Sequence, residues 1–133
     1  MHKTTSLLLA PLVAATLATG AGTALADPVE IIAPYAQAAA EVSAFGNLAK
    51  AKSIDRVDRK QTGVYCVHVS DKDIDLSRSV LTATLRSHDS QGGSIRALTE
   101  PQAVCGNDPS TIFVATFRAD GLHVNSGFFV TVQ

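Results

Sequence analysis

From residue 53 to the C-terminus, apolar residues recur at every second position in short runs, and turn-forming residues break one run from the next. A period of two is the signature of strands with unlike faces. Val64–Ser70 is the clearest case, with Tyr65, Val67 and Val69 on one face and Val64, Cys66 and His68 on the other. Val80–Arg86 repeats the pattern, placing Leu81, Ala83 and Leu85 inward and Thr82, Thr84 and Arg86 outward. Ser53–Arg59 is a weaker, largely exposed strand, and Ser94–Leu98 is a short one. Ile112–Phe117 is apolar on both sides, as in a central strand, and Phe128–Val132 alternates again to close the chain. Thr62-Gly63, Asp89–Gly93 and Ala119-Asp120-Gly121 supply the turns. This punctuation predicts an all-β fold, a single small antiparallel β-sandwich or barrel of about seven strands.

The N-terminus reads differently. A charged Met1-His2-Lys3 start precedes an apolar stretch at Leu7–Leu17, followed by small residues ending in Ala24-Leu25-Ala26. That is the layout of a secretory signal peptide over residues 1–26, cleaved after Ala26. The apolar stretch falls short of the roughly 20 residues a spanning helix needs. No Arg-Arg pair precedes it, so the general secretion route is expected, with a secreted, extracellular product and no membrane insertion after cleavage. Residues 27–37, with Pro28 and Pro34, read as a loose lead-in to a β-domain over residues 38–133. The alanines of Tyr35–Phe45 favour a short helix by intrinsic propensity.

Roughly a hundred residues remain beyond the leader, enough for one domain and one core. All 12 acidic residues and every basic residue except Lys3 lie there, so the mature chain is slightly acidic. It offers no field for nucleic acid or an anionic membrane. With no Trp and only Tyr35 and Tyr65, it also lacks an aromatic sugar-binding face. The two cysteines, Cys66 and Cys105, form an even pair in an oxidising compartment, so a disulfide is predicted. Closing a loop of about 40 residues is worth roughly 4 kcal/mol in the chain-entropy model. The expected effect is to fasten the 99–110 loop across the Cys66 face of its strand. A reactive thiol or metal ligand is the competing reading.

The order of motifs resembles a known group. Gly63-Val64-Tyr65-Cys66-Val67 is followed by Leu81-Thr82-Ala83-Thr84-Leu85, a loop cysteine at Cys105, Ile112–Phe117 and a terminal Phe128-Phe129-Val130-Thr131-Val132. With Ala40–Phe45, Gly46-Asn47-Leu48 and Ser53–Arg59 ahead of them, these segments are similar to small secreted β-domains common in actinobacteria. The resemblance spans about residues 38–133, and its motifs are structural, so it implies no catalytic residues. It implies instead that Ala39–Phe45 is the first strand, against its helical propensity. The acidic connection at Asp71–Asp75 is longer than the pattern expects.

Four constellations bear on chemistry. Asp71, Asp73 and Asp75 alternate like the first half of a calcium loop, but Leu76 and Thr82 stand where Gly and Glu are required. A solvated connection is expected, with no tight calcium binding. His68 shares a face with Cys66 at a spacing that suits a metal, yet a single histidine beside a disulfide cysteine makes no site. His88-Asp89-Ser90 holds the residue types of a hydrolase triad, but consecutive residues cannot form the spatial relay, and no Gly-x-Ser-x-Gly elbow is present. His123 is a surface or structural histidine. No phosphate loop, zinc spacing or dinucleotide fingerprint appears, so no catalytic, metal or cofactor residue is expected. The reading is a non-enzymatic extracellular or cell-surface binding or structural module with an unknown partner. The alternatives are a secreted inhibitor of a protease or other hydrolase, presenting Glu100–Ser110, and a small hydrolase.

Overall fold

A computed structural model describes residues 25–86 and 92–133. The leader up to residue 24 and the His88-Asp89-Ser90 cluster with most of its turn lie outside the described residues. Among the described residues nine strands follow one another: β1 (Val29–Glu30), β2 (Ala38–Val42), β3 (Leu48–Lys52), β4 (Ile54–Gln61), β5 (Val64–Val69), β6 (Leu81–Leu85), β7 (Ser94–Leu98), β8 (Thr111–Phe117) and β9 (Phe128–Val132). They form two packed sheets, a five-stranded one in the order β1-β3-β2-β9-β6 and a four-stranded one in the order β4-β5-β8-β7. Every pairing is antiparallel except β1 with β3. The architecture is the small β-sandwich expected from the period-two pattern. Among the described residues no helix is long and apolar enough to cross a membrane.

The core lies between the sheets and is built from the alternation itself. Ala38, Ala40 and Val42 of β2 and Phe128, Val130 and Val132 of β9 face Tyr65, Val67 and Val69 of β5 and Ile112 and Val114 of β8. Each is at most 7% exposed. Burying a side chain of the size of Val or Phe is worth about 1.5–3 kcal/mol, so these facing rows dominate the cohesion of the fold. Tyr65 meets Phe128 edge-to-face across the gap, with ring centroids 5.1 Å apart. Leu76, in a 3-10 turn at Leu76–Arg78 within the Asp71–Arg78 connection, completes the same cluster.

Residues 38–42 are a strand, as the resemblance implied and against their helical propensity, because β2 is hydrogen-bonded on both sides, to β3 and β9, and sends Ala38, Ala40 and Val42 into the core; pairing overrides alanine's propensity. Two segments depart from the expectations. The lead-in is tethered, since β1 pairs with β3 and the Ile31 N–H donates to the Ala51 carbonyl at 2.9 Å. Lys52 then holds the following turn, its Nζ donating to the carbonyls of Ala33 and Ala36, both at 2.6 Å. Finally, β3 itself was not foreseen, because Leu-Ala-Lys-Ala-Lys carries no β-branched residue.

Candidate functional site: the disulfide-anchored loop

The outer face of the four-stranded sheet carries the residues that the sequence singled out. On β5 this face presents Val64, Cys66 and His68, and opposite them β8 places Ala115, Phe113 and Thr111. An outer face normally meets water, but here Val64, Cys66, Thr111 and Ala115 are all buried. The 99–110 connection meets this face at Cys66 and Thr111. Its 3-10 turn at Ala103–Cys105 is stapled to the sheet by the Cys66–Cys105 disulfide, whose Cα atoms are 5.6 Å apart. Both cysteines are consumed by that bond. Val104, the residue before the staple, remains on the outside at 40% exposure.

His68 supplies a second anchor. Its Nε2 lies 2.9 Å from Asp58 Oδ2 on β4, and its Nδ1 lies 2.9 Å from Thr111 Oγ1. The Thr111 hydroxyl also lies 3.0 Å from Asp108 Oδ2 in the loop. A hydroxyl has one hydrogen to donate. Thr111 gives it to Asp108 Oδ2, and the imidazole bridges Thr111 and Asp58. One Arg56 Nη atom is 3.2 Å from both ring nitrogens, and Arg56 Nε is 3.3 Å from Asp58. Three strands and the loop are thus joined through one imidazole.

The carboxylates respond to these partners. Burial works to raise the Asp58 carboxyl, but the His68 hydrogen bond and the charges of Arg56, His68 and Lys60 outweigh it and hold the group below its ordinary value. Asp108 is lowered chiefly by the Ser110 backbone N–H and then by the Thr111 hydroxyl, against a small opposing effect of burial. The same two bonds close the end of the loop, since Ser110 N–H to Asp108 Oδ1 is 2.8 Å.

The arrangement resembles a relay of carboxylate, imidazole and hydroxyl, but it cannot act as one. Thr111 is 1% exposed, so its oxygen has no route to a substrate, and nucleophilic chemistry requires that approach. What the cluster can do is hold the loop rigid.

The remaining candidates are not brought together. His123 packs against Phe117, ring centroids 4.6 Å apart, and bridges it backbone to backbone at the end of β8. Asp71 Oδ1 accepts the Asp73 N–H at 2.9 Å, and Asp75 Oδ1 accepts both the N–H and the hydroxyl of Ser77. Two of the three aspartates therefore act as local turn caps. Among the described residues no group of three or more His, Cys, Asp or Glu side chains converges on a metal position. Sequence reasoning missed Asp58, Thr111 and Asp108 as partners of His68. Only Thr111 left a signal, as a residue beside the central strand in register with His68 once β5 and β8 are paired.

Comparisons with protein-family models, with curated proteins and with solved structures gave no match.

Proposed function

We propose that this chain is an extracytoplasmic binding module, and that the loop over residues 99–110 is the surface it presents. The observation that carries the reading is the double anchoring of that loop, by the Cys66–Cys105 bond and by the His68–Thr111–Asp108 chain, with Val104 and Ala103 left outward. A loop ordered in advance loses less conformational freedom on binding, and binding residues commonly sit on loops held by a rigid scaffold. Export through a leader cleaved after Ala26 belongs to the same proposal. A disulfide is compatible with that compartment, and the Ala26–Asp27 junction is exposed. Kinship with the small secreted β-domains of actinobacteria is part of it too.

The reading as a hydrolase inhibitor draws less support. Residues 103–105 form a 3-10 turn, whereas peptide segments that add to another protein's cleft are usually extended.

The test is capture of cell-surface and culture components on the immobilised protein, with Val104→Asp as the matched control and a panel of extracellular proteases assayed in parallel. The expected result is a saturable ligand that binds the native protein and at least tenfold more weakly the variant. Binding indifferent to Val104, or turnover of a substrate, would overturn the proposal.

A further inference from the structure

Two connections leave one end of the sandwich, the 71–78 segment after β5 and the 99–110 loop after β7. Between them lies a cleft of about 260 Å³, lined by Asp75, Ser77, Thr99, Glu100, Pro101 and Pro109. Its first wall is pinned from beneath by Leu76, which is buried in the core. Asp75 is held beside it. Its Oδ1 accepts the Ser77 N–H at 3.0 Å and the Ser77 hydroxyl at 2.6 Å, and its carbonyl accepts the Ser79 hydroxyl at 2.7 Å. The second wall belongs to the loop stapled by Cys66–Cys105. Pro101 and Pro109 fix φ at two positions of that loop, and the Glu100 carbonyl accepts Gln102 Nε2 at 3.2 Å.

The cleft carries negative charge that no contact within the fold neutralises. The Ser77 hydroxyl, the Ser77 N–H and the charge of Arg78 hold the Asp75 carboxyl below its ordinary value, against the opposing effect of burial. Both Ser77 bonds fall on Oδ1. Among the described residues no donor reaches Asp75 Oδ2 or the Glu100 carboxylate, and neither carboxylate has an ion-pair partner.

We propose that this cleft receives a lysine or arginine side chain of a partner polypeptide, its aliphatic stem against Pro101 and Pro109 and its cationic head against Asp75 and Glu100. The inference rests on the reading of the 99–110 loop as the presented surface, and it gives that surface a partner of stated chemistry, a basic peptide segment. The occupant follows from the lining. An anion is repelled by the two carboxylates, and an apolar group would strip water from them without replacing it. A divalent metal takes more ligands than two carboxylates supply, and among the described residues no third His, Cys, Asp or Glu side chain converges with them. A long basic side chain matches both features, being apolar along its stem and charged only at its tip. Its N–H groups meet acceptors already set in place, so the protein loses little freedom on binding.

Titration of the isotope-labelled protein, followed by amide NMR shifts, tests it. The probes are two end-blocked peptides, Ala-Ala-Lys-Ala-Ala and the same peptide with norleucine in place of lysine. The lysine peptide should give saturable shifts at the amides of residues 75–79 and 99–102, with a dissociation constant on the order of 1 mM. The norleucine peptide, which keeps the stem and lacks the charge, should give none. Asp75→Asn with Glu100→Gln should weaken binding of the lysine peptide at least tenfold. Asparagine still offers Ser77 an acceptor, and Glu100 makes no side-chain bond in the fold, so this variant removes charge and keeps both walls. Val104 does not line the cleft, so loss of a captured ligand on Val104→Asp and loss of peptide binding in the double variant are read independently. No saturable shift up to about 20 mM peptide, equal binding of the norleucine peptide, or binding unchanged in the double variant would each overturn the inference.

Discussion

The Tyr65 hydroxyl is bonded in two directions, donating to the Ala44 carbonyl at 2.6 Å and accepting the Ser126 N–H at 3.2 Å. Its ring is fully buried, as is Ser126. Tyr65→Phe should therefore cost about 1–3 kcal/mol, read as a drop of several degrees in melting temperature, with the fold otherwise kept. That Tyr65 points inward was legible from the alternation of Val64–Ser70. The partners of its hydroxyl were not, because they lie 21 and 61 residues away and no local pattern encodes them. The same holds for His68, which the sequence set beside Cys66 and the fold joins to Asp58, Thr111 and Asp108. These carboxylates give the protein an acid-sensitive clamp. Asp58 and Asp108 both titrate below the ordinary aspartate value of 3.8 when folded. Their contribution is thus complete above that value and is lost as pH falls through the lowered folded values. Denaturant midpoints should fall as the pH drops below about 4, and Asp58→Asn should flatten that fall; equal pH profiles for the two proteins would exclude this source.

Between elements, the tightest junction is at Gly63, in the turn from β4 to β5. Its φ is +67°, and a Cβ there would lie 2.7 Å from the Thr116 carbonyl and 2.8–2.9 Å from the Val124 backbone. The Gly63 N–H also donates to Asn125 Oδ1 at 2.8 Å. Gly63→Ala combines a left-handed backbone with an overlap against main chain that cannot move aside, and should cost about 3 kcal/mol. The turn at Thr62-Gly63 was readable in the sequence; the crowding that makes glycine obligatory was not. The disulfide is a complementary case. Cys66 was placed on the face opposite Tyr65, Val67 and Val69 by period alone, and the disulfide does fasten the loop to that face. Replacing both cysteines by serine should cost roughly 2–4 kcal/mol, about 10 °C for a domain of this size. The His68–Thr111–Asp108 chain should keep the Asp108 end of the loop protected from hydrogen exchange while protection is lost around Ala103–Cys105. What could not be read were the strands with weak intrinsic signals, β1 and β3; β2 was placed as a strand by resemblance alone, its alanines being strand-forming only because β3 and β9 flank them.

For the molecule entire, the two sheets are held by side chains that alternate, so their inner rows were largely foreseeable, whereas strand order was not. Periodicity states which residues face inward and is silent on which strand neighbours which. The order matters most at β9, which lies between β2 and β6 and pairs with both over all five residues. Deleting residues 128–133 should leave no cooperative melting transition, rather than trim an edge, since both flanking strands lose their ladder and the core loses Phe128, Val130 and Val132. Circular dichroism of the shortened chain checks this. The arrangement also sets a clock. The first long strand waits for the last, so the five-stranded sheet is incomplete until β9 is in place between β2 and β6. Contacts this distant in sequence close slowly, in milliseconds to seconds, so the chain stays open until β9 docks and becomes compact only then.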